Sequence, residues 1–192
     1  MRFEKFKEKE DKKITKYDII DKFILYYIIY PILPIIVSLG FSPNFITTLS
    51  LISGIISAYS IYYENIYIGA FLFLLRYVLD CLDGPVARIT KQTSKFGDIY
   101  DHLVDYFCFS LFYSLCFTKS YSLLFIIFLH VIAIICVINY SIIYQEIKKG
   151  IIYDLTYWIP INKNLYRLSN YIGTGTGIFT VFITIGIIMN KN

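Results

Sequence analysis

Asp80-Cys81-Leu82-Asp83-Gly84-Pro85-Val86-Ala87-Arg88 and, after eight intervening residues, Gly97-Asp98-Ile99-Tyr100-Asp101-His102-Leu103-Val104-Asp105 concentrate carboxylates in a chain whose flanks are apolar. On a helix, residues three or four apart share a face, so Asp80 with Asp83 forms one pair and Asp101 with Asp105 another. One carboxylate at bilayer depth costs roughly 2.5–3.5 kcal/mol on insertion scales, so four together need a divalent or strongly basic compensator. Basic residues in the apolar runs are too few to match four aspartates as structural ion pairs. The spacing therefore predicts a metal site between two facing helices.

Working outward, the composition is that of an integral membrane protein: 57% hydrophobic, 19% aromatic and 17% charged residues over 192 positions. Apolar runs of spanning length occur at 45–63, 66–82, 98–117, 121–144 and 170–189. A further run, 23–41, contains Pro31 and Pro34, which interrupt helical hydrogen bonding. The basic N-terminus and the loop with Arg88, Lys91 and Lys95 should both face the cytoplasm, and the runs 45–63 and 66–82 already supply the even number of crossings this requires. Run 23–41 is therefore expected along the interface. Ile14, Tyr17, Ile20, Phe23, Ile24 and Tyr27 recur at helical spacing and support an amphipathic lead-in. Residues 151–162, with Asp154 and Pro160, form either a partial span or a loop.

The net charge of +4 gathers in the N-terminal stretch and polar loops, which points to anionic headgroups. No basic and aromatic alternation suggests nucleic acid. Cys81, Cys108, Cys116 and Cys136 lack the spacing of zinc ligands or of a disulfide framework and read as packing residues. The N-terminal charged run is long, mixed in sign and followed by no small-residue cleavage site, so it is expected to be retained.

At every fixed position the two quoted segments resemble the signature of the class-I CDP-alcohol phosphatidyltransferases. The resemblance implies an all-α, polytopic membrane bundle of about six transmembrane helices with an N-terminal juxtamembrane amphipathic helix. Residues 1–41 would be the basic, interfacial segment and 42–192 the catalytic membrane domain, its site facing the cytoplasm. The implied reaction, in phospholipid biosynthesis, transfers a substituted phosphate from a CDP-alcohol (CDP-diacylglycerol or a CDP-aminoalcohol) to an acceptor hydroxyl and releases CMP. Asp80, Asp83, Asp101 and Asp105 would hold Mg2+ or Mn2+, hard cations that suit oxygen ligands, and Asp105 would also take the acceptor's proton. Asn44, Asp80, Gly84, Ala87, Arg88 and Gly97 would line the nucleotide and phosphate site. Partners would be the CDP-alcohol, the hydroxyl acceptor and membrane lipids, and members of the family often form homodimers.

Several residues admit two readings. Ser42 or Asn44 can cap the first core helix, while Pro43-Asn44-Phe45-Ile46-Thr47 also resembles the family's lead-in, from which Asn44 would reach the nucleotide. Arg88 is either a phosphate ligand or a positive-inside anchor. His130 reads as a core residue, Gly173, Gly175 and Gly177 as helix-packing positions, and Lys148, Lys149, Lys163 and Arg167 as solvated loop charges. Gln92, Ser94, Phe96 and Gly97 resemble inositol-type synthases, which carry Arg after the last aspartate, where Tyr106 stands here. Asp101-His102 resembles the aminoalcohol enzymes instead, so the acceptor stays open. Two other classes share parts of the pattern: an intramembrane cation transporter, which needs no Gly84 to Arg88 segment, and an inactive nucleotide- or lipid-binding relative, against which the intact signature argues.

Overall fold

The computed structural model describes residues 19–118, with isolated positions at Phe6, Ile127, Val131, Asp154 and Tyr157. The runs 121–144 and 170–189, the bulk of segment 151–162, His130, the 173–177 glycines and the basic residues at 148, 149, 163 and 167 lie outside the described residues. Among the described residues all regular structure is helical: α1 (Ile19–Ser38), α2 (Pro43–Tyr62), α3 (Ile66–Thr90) and α4 (Lys95–Thr118). By length and composition α1 and α2 are each long and apolar enough to cross a membrane. α3 and α4, at 25 and 24 residues, have the length but carry the acidic segment.

α1 runs through both of its prolines. Ile19–Phe23 is α-helical, Ile24–Ile29 is a π-helical turn, and Tyr30–Ser38 is α-helical again. The Tyr30 N–H reaches back to the Leu25 carbonyl, and the wide turn ends at Ile29, two residues before Pro31, which has no N–H to give. The wide turn also stretches the helical period. Buried positions recur every four residues, at Asp21, Leu25, Ile29 and Leu33. Of the expected amphipathic stripe, Ile24 is buried, whereas Phe23 and Tyr27 face outward with ring centroids 5.0 Å apart. The buried face joins Ile46, Tyr77, Leu82, Val86 and Ile89 in one core cluster, and the Tyr77 hydroxyl donates to Asp21, tying α1 to α3.

Gly40, at φ +77°, ends α1 in the left-handed conformation that a side chain disfavours. The chain then restarts within two residues. Ser42 is extended and its Oγ accepts from the Phe45 N–H at 3.3 Å, with Pro43 at the first helical position, so the capping role belongs to Ser42 and not to Asn44.

α2 buries mainly small and hydroxyl side chains and exposes apolar ones. Its buried positions include Thr47, Ser50, Ser53, Gly54, Ser57, Ala58 and Ser60 beside Ile46 and Ile61, while Ile52, Ile55, Ile56 and Tyr59 are 42–64% exposed. Water would reject that arrangement and lipid favours it, because small residues let helix backbones approach while apolar side chains meet the bilayer. The close approach is visible at α3: Ser57 Oγ donates to the Gly69 carbonyl at 2.6 Å, and a Cβ on Gly69 would stand 2.4 Å from Ile61 Cγ1. α2 packs chiefly on α3 and next on α4, which brings the acidic ends of α3 and α4 against the start of α2.

A candidate active site between three helices

Asp80 and Asp83 ride on α3, one turn apart. The helix continues through Gly84 and Pro85 to Thr90 and is closed by Lys91 at φ 61°. Arg88 falls in its last turn, where a cation complements the helix dipole. Ser94 starts α4: its Oγ accepts from the Gly97 N–H at 2.9 Å and its carbonyl from the Asp98 N–H at 3.1 Å. From that fixed start, Asp101 and Asp105 point back at α3.

One carboxylate oxygen from each of Asp80, Asp101 and Asp105 lies within 4.8 Å of the other two. Asp80 Oδ1 and Asp101 Oδ1 are buried and accept no hydrogen bond. Buried carboxylate oxygens without donors are costly, and two such aspartates converging with the Asp105 carboxylate match the donor set of a hard divalent cation, all oxygen and no sulfur.

Asp83 differs. It is 7% exposed and stands outside the three-carboxylate group. Thr47 Oγ1 on α2 lies 2.5 Å from Asp83 Oδ2 and 3.1 Å from the Pro43 carbonyl; with one proton to give, the hydroxyl donates to the nearer carboxylate. The sequence reading did not single out Thr47.

Arg76 was also passed over; it is one buried cation against four aspartates. It is 5% exposed on α3; Nη2 forms an ion pair with Asp105 Oδ1 and stands 3.8 Å from Asp80 Oδ1. The available signal was the i, i+4 spacing of Arg76 and Asp80 inside an apolar run.

The residues expected to line a nucleotide site gather at the same end. A Cβ on Gly84 would stand 3.0 Å from Arg88 Nη1, so the missing side chain leaves room for the guanidinium over the backbone. A Cβ on Gly97 would stand 3.2 Å from Asn44 Oδ1, which places the exposed Asn44 carboxamide at the start of α4. Ala87 is half-buried on the last turns of α3. Thr48 Oγ1 and Tyr100 Oη, 2.9 Å apart, join α2 to α4 below this end. His102 stays with its own helix, its Nε2 3.7 Å from Asp98 Oδ1, and does not join the three carboxylates. Tyr106, directly after the last aspartate, is 74% exposed and turns away from them.

Comparisons with known proteins give the family. A family model described as CDP-alcohol phosphatidyltransferase matches residues 41–189. An archaetidylinositol phosphate synthase of Pyrococcus horikoshii is 34% identical over 68 residues, 35% of this chain and 36% of that protein. A CDP-diacylglycerol–serine O-phosphatidyltransferase of Helicobacter pylori is 39% identical over 72 residues, 36% of this chain and 29% of that one. A bifunctional IPC transferase and DIPP synthase of Aquifex aeolicus is 38% identical over 65 residues, 34% of this chain and 15% of the relative. The alignments thus span 15–36% of these relatives' lengths. No solved structure matches. Because the family model covers most of the chain, including both aspartate pairs and the glycines between them, the protein belongs to the CDP-alcohol phosphatidyltransferase family.

Proposed function

We propose that this protein is a metal-dependent CDP-alcohol phosphatidyltransferase of phospholipid biosynthesis, which moves a substituted phosphate from a CDP-alcohol to an acceptor hydroxyl and releases CMP. The observation that carries the reading is the convergence of Asp80, Asp101 and Asp105 from two helices, with two buried oxygens that accept no hydrogen bond. A transferase of this kind must tolerate the diphosphate charge and the charge that grows on oxygen during attack at phosphorus.

Asp80, Asp101 and Asp105 would hold Mg2+ or Mn2+, with Asp83 supporting from the next turn. When bound, the cation offsets phosphate charge where it develops. Asp105 would take the hydroxyl proton as the new P–O bond forms; the bond between phosphorus and the CMP oxygen breaks, and CMP leaves. Arg88, held over Gly84, supplies a fixed cation for phosphate. Asn44 and Gly97 meet across the starts of α2 and α4 and contact the nucleotide. Ala87 keeps the approach clear.

The basic 88–95 segment joins α3 to α4 at the site's end, so the positive-inside tendency turns the site to the cytoplasm. α1, long enough to cross, is assigned to the interface because an interfacial α1 keeps the number of crossings before that segment even. The two-domain division at residue 41 follows. The names of two relatives, an archaetidylinositol phosphate synthase and a serine O-phosphatidyltransferase, favour an inositol phosphate or serine acceptor, and inositol, glycerol 3-phosphate and diacylglycerol complete the set to be tried.

The test is CMP release by the purified protein in nanodiscs with Mg2+ or Mn2+. CDP-diacylglycerol is offered with each of those acceptors except diacylglycerol, which is paired with CDP-choline or CDP-ethanolamine. Metal-dependent CMP from one pair establishes the reaction and names the acceptor. CDP-alcohol binding without CMP from any pair contradicts the transferase reading and favours an inactive relative.

A further inference from the structure

Arg76 is set deep in α3, and four neighbours build its seat. Its Nη2 pairs with Asp105 across on α4 and lies 3.8 Å from Asp80 one turn along its own helix. Its backbone carbonyl accepts from Ser50 Oγ at 3.2 Å. On α2, Gly54 makes space for its stem, since a Cβ there would stand 3.2 Å from Arg76 Cδ and 2.6 Å from Cys108 Sγ. An arginine at this depth is costly to place and has no role in the family signature quoted above. It is nevertheless fully enclosed, and it touches two of the three carboxylates that converge.

We infer that Arg76 is a positioning residue and the internal counter-cation of the site: it holds the Asp105 carboxylate toward α3 and lowers the affinity of the three-carboxylate group for a divalent ion. The two effects have one origin. A guanidinium beside Asp80 and Asp105 repels any second cation brought to the same oxygens, and the repulsion is strong where water is excluded. The same ion pair fixes the orientation of Asp105, on which proton transfer depends. Removing the charge therefore moves the two properties in opposite directions: cation binding tightens while turnover falls. A residue needed only for packing would weaken both.

The turnover half of this inference rests on the proposed transferase reaction; the binding half does not. The experiment uses the full chain in nanodiscs and titrates Mn2+ by electron paramagnetic resonance on the wild type, Arg76→Met and Arg76→Lys. CMP release is measured on the same samples with whichever substrate pair is active. Arg76→Met is expected to bind Mn2+ about tenfold more tightly, and its kcat to fall about tenfold or more with KM for the CDP-alcohol within about twofold. Arg76→Lys, which keeps the charge, is expected to keep Mn2+ affinity within about twofold of the wild type and to recover part of the lost kcat. Equal or weaker Mn2+ binding by Arg76→Met overturns the counter-cation role, and unchanged kcat overturns the positioning role. If Arg76→Met does not fold, Arg76→Met with Asp105→Asn removes both members of the pair, and its Mn2+ affinity is compared with that of Asp105→Asn alone. If no sample releases CMP, the transferase reading fails, while the Mn2+ comparison still decides the counter-cation role.

Discussion

Asp80 and Asp83 lie one turn apart on the same helix and are treated oppositely by their surroundings. Asp83 is met by a hydroxyl from α2, at 2.5 Å from Thr47 Oγ1. Asp80 faces α4, where it meets two more carboxylates, with the Arg76 guanidinium of its own helix beside it, and its Oδ1 accepts no hydrogen bond. A three-residue step on a helix turns a side chain by most of a turn, enough to move it from one neighbouring helix toward another. One aspartate of the pair thus meets a hydroxyl donor, and the other keeps a buried oxygen without one. The same division recurs on α4, where Asp105 pairs with Arg76 and Asp101 carries a buried oxygen without a donor. Each helix therefore brings one partnered and one unpartnered carboxylate to the site.

The comparison breaks most sharply at Asp80. Asp80→Asn removes one of three converging oxyanions and is expected to lower metal-dependent CMP release about a thousandfold or more and to abolish Mn2+ binding in the micromolar range; an effect no larger than that of Asp83→Asn would erase the distinction. Thr47→Val takes away the donor to Asp83 at nearly constant volume. It leaves a buried carboxylate short of a partner, at a cost of about 1–3 kcal/mol, and is expected to lower kcat about tenfold while Thr47→Ser stays close to the wild type. Gly54→Ala inserts a methyl 2.6 Å from Cys108 Sγ and 3.2 Å from Arg76 Cδ. It is expected to cost about 1–3 kcal/mol in denaturation of the nanodisc-embedded protein, as overpacking does, and Gly54→Ala with Cys108→Ala should recover part of that. Ser57→Ala, far from the carboxylates, loses only the 2.6 Å bond to the Gly69 carbonyl. Its expected cost is about 0.6 kcal/mol, with no change in turnover.

Much of this architecture was legible in the sequence. The runs 45–63 and 98–117 correspond to Pro43–Tyr62 and Lys95–Thr118 within a few residues. The run 66–82 has the right start, but the helix continues to Thr90. An apolar window reports where the chain is lipid-compatible, and helical hydrogen bonding carries on past that limit through Asp83, Gly84 and Pro85 until Lys91 adopts positive φ. Pro31 and Pro34 were read as interruptions, and the π turn that accommodates them has no simple sequence signature.

At the site, the i, i+3 and i, i+4 spacings correctly placed each aspartate pair on one helix, because that periodicity is local. Which aspartate would meet the Thr47 hydroxyl, and which would meet Arg76 from across the bundle, depends on the rotation of α3 against α2 and α4. That rotation is set by the small-residue face around Ser50, Gly54 and Ser57, and no spacing along α3 encodes it. The Thr47–Asp83 and Arg76–Asp105 pairs, 36 and 29 residues apart in the chain, were illegible for that reason, whereas the i, i+4 step from Arg76 to Asp80 was in plain view. Between Ser42 and Asn44 the local rules were ambiguous, and the extended backbone of Ser42 decides it.

The central claim is that the carboxylates converging from α3 and α4 form a cation site that drives phosphate transfer. The most direct measurement is CMP release from CDP-diacylglycerol and the active acceptor by the wild type and by Asp101→Asn, each after exhaustive chelation and again with Mg2+ or Mn2+ restored. Activity is expected only in the wild type and only with metal. CMP released at the same rate without metal, or undiminished in Asp101→Asn, would contradict it.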